Sequence, residues 1–122
     1  MTKIALIEDN AVISQMYRMK FESEGFDVKL AVNGEDGVAL VKDFSPDIIL
    51  LDLQMPIMNG AEALKKIRAI ENTRQTPVII LTNLGEEEAP KELLDLNIDS
   101  YIVKANLTPS QVVKKVKDTL GL

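Results

Sequence analysis

Two adjacent carboxylates, Glu8 and Asp9, follow the apolar run Ile4-Ala5-Leu6-Ile7. A third, Asp52, follows Ile48-Ile49-Leu50-Leu51, a hydroxyl, Thr82, follows Val78-Ile79-Ile80-Leu81, and an amine, Lys104, follows Tyr101-Ile102-Val103. Taken singly, each has a plain reading. Glu8 and Asp9 suit a solvated loop leading to Asn10 as a helix cap, and Asp52 suits a turn rich in Met55-Pro56 and Asn59-Gly60. Thr82 is a residue that strands favour, Lys104 an ordinary surface lysine, and Tyr101 a half-buried edge residue. Taken together they make a reactive set. Three converging carboxylates repel one another unless a cation neutralises them. An all-oxygen donor set selects a hard ion, Mg²⁺, with waters and a backbone carbonyl completing an octahedron. A carboxylate beside Mg²⁺ can attack a phosphoryl group and form an acyl phosphate. Thr82 and Lys104 could then contact the phosphoryl oxygens, and Lys104 would pair with Asp52 at rest.

The composition removes competing chemistries. The chain has no cysteine and no histidine. Thiolate catalysis, disulfides, a Ser-His-Asp hydrolase, a histidine-ligated zinc and a phosphohistidine carrier are therefore excluded. The net charge of -5 repels phosphate backbones, so direct nucleic-acid binding is not expected. The loop at Glu8-Asp9 lacks the glycine-rich turn that would admit a nucleotide. The start, Met1-Thr2-Lys3-Ile4, is too short for a signal peptide, and no apolar run approaches a membrane span. A soluble, cytoplasmic protein without membrane contact is expected.

These residues need a scaffold that gathers them at one edge. The 122 residues suit one domain, spanning residues 1–122. The three central runs are apolar at every position, the mark of strands covered on both faces in a parallel sheet. Val28 to Ala31 and Tyr101 to Val103 are shorter and more mixed, and suit edges. Helical patterns fill the gaps. The first runs from Ala11 to Glu24, with Ile13, Met16, Tyr17 and Phe21 on one stripe and Gly25 as its stop. Asn33 caps a second that ends near Phe44, before Pro46. A third begins around Gly60, with Leu64, Ile67 and Ile70 inward. A fourth is expected near Ala89 to Leu96, with Pro90 in its first turn behind Glu86, Glu87 and Glu88. Thr108, Pro109 and Gln111 start a fifth through a capping box, and Val112, Val113, Val116 and Leu120 form its buried side. The pattern predicts an α/β fold of five βα units, a doubly wound parallel sheet. The flavodoxin-like strand order 2-1-3-4-5 suits five strands best, with function beyond the carboxyl ends of the strands.

The segments Ile7-Glu8-Asp9-Asn10, Leu50-Leu51-Asp52-Leu53-Gln54-Met55-Pro56, Met58-Asn59-Gly60, Ile80-Leu81-Thr82 and Tyr101-Ile102-Val103-Lys104, in this order, resemble response-regulator receiver domains of two-component signalling, including the single-domain chemotaxis type. The resemblance covers essentially the whole chain. It implies a phosphorelay switch in which Asp52 is the phosphoacceptor. Glu8, Asp9, Asp52 and the backbone carbonyl of Gln54 would hold Mg²⁺, and Thr82 and Lys104 would contact the phosphoryl group. Thr82 and Tyr101 would then move together and repack the face made by the fourth helix, fifth strand and fifth helix. The donor would be a histidine kinase or phosphotransfer protein, the reader a downstream protein target, and the state a monomer or a phosphorylation-dependent dimer. Two positions depart from the family pattern. Ala105 follows Lys104 where proline in a cis bond is usual, and a trans bond is expected because cis costs a non-proline residue about 2.5–4 kcal/mol. Asn83 follows Thr82 where a small residue is usual. Gln54 and Leu84 occupy positions that in the family tune dephosphorylation.

Three other readings compete. One is a metal-dependent phosphohydrolase that also forms an aspartyl phosphate, but those enzymes carry a second aspartate two positions after the nucleophile, and Gln54 stands there. A docking module with a vestigial site is disfavoured by the complete set Glu8, Asp9, Asp52, Thr82 and Lys104. The receiver half of a larger DNA-binding regulator remains open, although the closure of the last helix at Gly121 favours a stand-alone domain.

Overall fold

A computed structural model describes residues 1–122. Five parallel strands form one sheet: β1 (Lys3–Ile7), β2 (Asp27–Ala31), β3 (Ile48–Leu51), β4 (Val78–Thr82) and β5 (Ser100–Val103). Their order is β2-β1-β3-β4-β5, as the sequence predicts, with the two strands of mixed burial at the edges. Four α-helices connect and cover them: α1 (Ala11–Ser23), α2 (Gly34–Phe44), α3 (Gly60–Ala69) and α4 (Pro109–Leu120).

The apolar runs are buried on both faces because alternate side chains enter two cores. Ala5, Ile7, Ile49, Leu51, Val78 and Ile80 pack towards α2 and α3. Ile4, Leu6, Ile48, Leu50, Ile79 and Leu81 pack with residues of α1 and α4. Burying a side chain of this size is worth about 1.5–3 kcal/mol, so a continuous apolar run is stable only between two covered faces. Asn10, Asn33, Asn59 and Thr108 cap the four helices through their side chains, and the Thr108–Gln111 capping box is complete. Gly25 takes φ +92° after α1, and Gly121 closes α4 at φ +73°.

The fourth helix does not form. Glu86–Glu88 and Lys91–Asp95 are two short 3₁₀ turns. The cause lies at Pro90. A proline clashes with an α-helical residue before it, and Ala89 is accordingly extended at ψ 149°. Pro90 itself caps the next turn at ψ 132° instead of entering it, and Asn97 turns left-handed at φ +55°. Between those two breaks too few residues remain for an α-helix to offset its nucleation cost. Two stripe positions are also less covered than the periodicity suggests: Met16 is exposed and Ile70 is half-buried.

Candidate functional site

The carboxyl ends of β1, β3, β4 and β5 lie side by side, and the sheet ladder runs on just past them. The Glu8 N–H donates to the Ala31 carbonyl at 2.9 Å, and the Asp52 N–H to the Ile7 carbonyl at 3.0 Å. Both backbones are thereby fixed by neighbouring strands, which aims two acidic side chains at one place. Asp9 follows on the loop to Asn10. Carboxylate oxygens of Glu8, Asp9 and Asp52 all lie within 4.8 Å of one another. Glu8 and Asp52 are buried, and Asp9 is exposed at the mouth.

Lys104, the first residue after β5, reaches into this cluster. Its Nζ donates to Glu8 Oε1 and to Asp52 Oδ2, the latter at 3.1 Å. The expected Asp52 pairing is present, and Glu8 shares it. The second oxygen of Glu8 accepts from the Asn10 N–H at 3.0 Å, and Asp52 Oδ1 accepts from the Gln54 N–H at 3.2 Å. Burial raises the Glu8 pKa; the Lys104 hydrogen bond opposes that rise and the Asp52 charge adds to it. Burial works to lower the Lys104 pKa, but its bonds to Glu8 and the charge of Asp52 outweigh it and hold the ammonium above its ordinary value. Two carboxylates thus share one ammonium, and the site keeps an excess of negative charge.

A hard divalent ion fits this donor set. Mg–O bonds of about 2.0–2.1 Å place ligand oxygens roughly 3–4 Å apart in an octahedron. The three carboxylates, whose oxygens lie within 4.8 Å of one another, therefore need to close by at most about 2 Å, and Asp9 is free to move at the surface. Gln54 lies beside Asp52 through its N–H.

The hydroxyl side of the site meets at one residue. Thr82, fully buried at the end of β4, accepts from the Leu84 N–H at 3.3 Å. The Tyr101 hydroxyl donates to the Leu84 carbonyl at 2.8 Å. Thr82 and Tyr101 thus hold opposite sides of one peptide segment, a link through backbone atoms that no residue pattern announces. Burial raises the Tyr101 pKa, and the charges of Glu86 and Asp52 push it the same way. Asn83 is exposed, and the Lys104–Ala105 bond is trans, because the chain has no cis peptide.

Gly60, read from the sequence as a turn residue and a helix start, also shapes the site directly. A Cβ there would collide with the carbonyl oxygen of Asp52 and lie 2.8 Å from Leu53 Cα. Glycine lets α3 begin against the backbone that carries Asp52. Tyr17, read as part of a core stripe, sits close enough that the charges of Lys104 and Glu8 act on its hydroxyl; burial dominates and raises its pKa.

Comparison with known proteins adds an independent line. The family model for the response regulator receiver domain matches residues 4–117, a span that contains every residue of this site. The transcriptional regulatory protein ResD of Bacillus subtilis is 38% identical over 98% of this chain, which covers 48% of ResD. The chain spans about half the length of the curated relatives it matches. Among solved structures, the Vibrio cholerae chemotaxis protein CheY4 is 26% identical, with a TM-score of 0.89 over 97% of this chain and 98% of its own. The receiver domain of the sensor histidine kinase PA1611 from Pseudomonas aeruginosa is 27% identical, with a TM-score of 0.89 over 99% of this chain and 98% of its own. That structure holds a magnesium ion in its active-site cleft. The strand order, the carboxylates gathered at the strand ends and the match across nearly the whole chain agree: this protein belongs to the response regulator receiver domain family of two-component signalling.

Proposed function

We propose that residues 1–122 form one phosphorylation-switched receiver domain and that Asp52 is its phosphoacceptor. The observation that carries this reading is the meeting of Glu8, Asp9 and Asp52 around the Lys104 ammonium. An Asp52 oxygen attacks phosphorus in a phosphohistidine presented by a histidine kinase or phosphotransfer protein. The new O–P bond forms as the P–N bond breaks, and the imidazole leaves with the electron pair and takes up a proton. Glu8, Asp9, Asp52 and the Gln54 carbonyl would hold Mg²⁺, which supplies positive charge against the phosphoryl oxygens when bound. Lys104 is already within bonding distance of Asp52, so its ammonium can follow the charge onto the phosphoryl group. Thr82 can trade its bond from Leu84 N–H for one to a phosphoryl oxygen. That trade would loosen the segment that Tyr101 holds from the other side. The signal then reaches the face made by the Lys91–Asp95 turn, β5 and α4, where a downstream protein reads it. Gln54 and Leu84, by family likeness, would tune how fast water removes the phosphoryl group, and Asn83 would crowd the phosphate or donate to it. We place the domain in the cytoplasm, as a monomer or a phosphorylation-dependent dimer.

A second reading is favoured by length. Because the chain spans about half of curated relatives that are transcriptional regulators, it would serve as the receiver half of a larger DNA-binding regulator. Both readings share the Asp52 chemistry. Intact-mass spectrometry with acetyl phosphate and Mg²⁺ tests it: one added phosphoryl group is expected in the native protein and none in Asp52→Asn. An equal mass gain in that variant would move the acceptor to another residue.

A further inference from the structure

Tyr17 lies in the middle of α1 and packs in the same core as Leu6, Phe21 and Val112. It is only 3% exposed. A phenylalanine would serve that packing. The hydroxyl adds a polar atom whose burial costs free energy unless it finds a partner. The Tyr101 hydroxyl donates to the Leu84 carbonyl, but the Tyr17 hydroxyl makes no hydrogen bond. Every fully buried polar side-chain atom in the protein has a partner, so the small exposed part of Tyr17 includes its hydroxyl.

Tyr17 borders a groove of about 270 Å³ between α1 and the segment after β5. Lys104 lines the same groove, with Ile13, Asn83 and Leu107. The Lys104 ammonium carries three hydrogens, and Glu8 and Asp52 take two of them. One N–H of Lys104 and the oxygen of Tyr17 are thus both without a protein partner beside one groove. The charge of Lys104 acts on that hydroxyl more strongly than the charge of Glu8 does. Asn83 carries the other side-chain oxygen on the groove, but it is exposed and would give up rotamer freedom to bond. The Tyr17 ring is already fixed by the core.

We propose that Tyr17 is a positioning residue for Lys104: its hydroxyl oxygen accepts an ammonium N–H when Glu8 is drawn to a divalent cation, and so keeps the ammonium aimed at Asp52. This rests on the phosphoacceptor reading given above and adds a residue to it. At rest, Glu8 and Asp52 hold the ammonium together. Once Glu8 serves a cation, Lys104 keeps a single anchor, and its flexible four-carbon stem is free to swing towards solvent. A neutral acceptor held on a helix limits that swing. It does so without a negative charge that would compete with the incoming phosphoryl group for the ammonium.

Tyr17→Phe removes only the hydroxyl. Its Tm in EDTA should stay within about 2 °C of the native value, since the resting hydroxyl has no bond to lose. With saturating Mg²⁺ and acetyl phosphate, followed by intact-mass spectrometry, it should gain the phosphoryl group about tenfold more slowly. The spectroscopic signature is the Tyr17 ring ¹³Cζ resonance, assigned by its loss in Tyr17→Phe. It should move when Mg²⁺ is added to the native protein and move little in Lys104→Met. In the Lys104→Met background, Tyr17→Phe should slow phosphorylation no further. A native rate in Tyr17→Phe, or a resonance that moves equally in Lys104→Met, would overturn the proposal. So would slower phosphorylation with a resonance that ignores Mg²⁺, which marks a packing effect. The two readings fail separately. A moving resonance with no mass gain in the native protein defeats the Asp52 reading and leaves the contact between Lys104 and Tyr17 standing. A mass gain on Asp52 with a still resonance defeats the contact alone.

Discussion

Replacing Lys104 by methionine keeps the length of the side chain and removes its charge, which isolates the ammonium as the only cation in the site. Its Nζ lies 3.1 Å from Asp52 Oδ2 and also bonds Glu8, and all three side chains are at most 9% exposed. Breaking a buried pair by removing one partner costs about 3–5 kcal/mol, because the remaining charge is left uncompensated. There is a ceiling on that cost for each carboxylate. A group with an ordinary pKa of about 4.3 can be neutralised at pH 7 for roughly 3.7 kcal/mol, so the loss settles near 3–4 kcal/mol once one carboxyl takes up a proton. For a chain of this length that is a fall in Tm of roughly 12–16 °C in EDTA. Mg²⁺ should act in the opposite sense. At a hundredfold excess over its Kd an ion adds about 2.7 kcal/mol to a folded state that alone binds it. It should bind the variant more tightly than the native protein, since no ammonium competes with it. Urea and thermal melts in EDTA and in Mg²⁺ measure both quantities. A loss under about 1 kcal/mol in EDTA, or an equal Mg²⁺ shift in both proteins, would mean that Lys104 does not neutralise this site.

Three further changes test the supports around it. Gly60→Ala should cost about 1–3 kcal/mol in urea melts, because its Cβ would press on the Asp52 carbonyl, and it should slow phosphorylation as that backbone shifts. Arg68→Met should cost about 2–4 kcal/mol and raise hydrogen exchange across residues 91–99, since the guanidinium donates to the carbonyls of Thr73, Thr76, Leu96 and Asn97. Glu24→Gln tests an ion pair that ties α1 to α4: the Lys117 hydrogen bond holds the Glu24 pKa below the usual carboxylate range. A carboxyl depressed in the folded state stabilises above its unfolded pKa and loses that effect as pH falls through the folded one. The stability gap between native protein and Glu24→Gln should therefore be present at neutral pH and close in acid; a gap that widens in acid would reverse the assignment.

The parts of the fold legible in the sequence are those set by local chemistry. Runs such as Ile48-Ile49-Leu50-Leu51 can be buried on both sides only in the middle of a sheet, and Thr108, Pro109 and Gln111 specify a helix start without help from distant residues. The same logic misled at Ala89 to Leu96. Three glutamates followed by proline look like a helix entrance, but the signal depends on whether proline sits inside the first turn or before it. Here Ala89 is pushed into an extended conformation and the helix is lost. That decision is made by two backbone torsions, which composition does not encode.

The candidate site divides along the same line. Glu8, Asp9, Asp52, Thr82 and Lys104 were legible because each stands at the carboxyl end of an apolar run, and parallel strands must bring those ends together. The contacts that connect them were not legible, because they run through backbone atoms common to every residue. Leu84 is the instructive case: its N–H serves Thr82 and its carbonyl serves Tyr101, so its side chain is irrelevant to the link. Any residue with a peptide N–H could stand there and leave the coupling intact, whereas moving the peptide itself by an ångström would break both bonds. The reactive end of this domain is therefore written in side chains, and the path leading away from it is written in the geometry of one loop. Variation of the Leu84 side chain should therefore leave the bonds of Thr82 and Tyr101 in place.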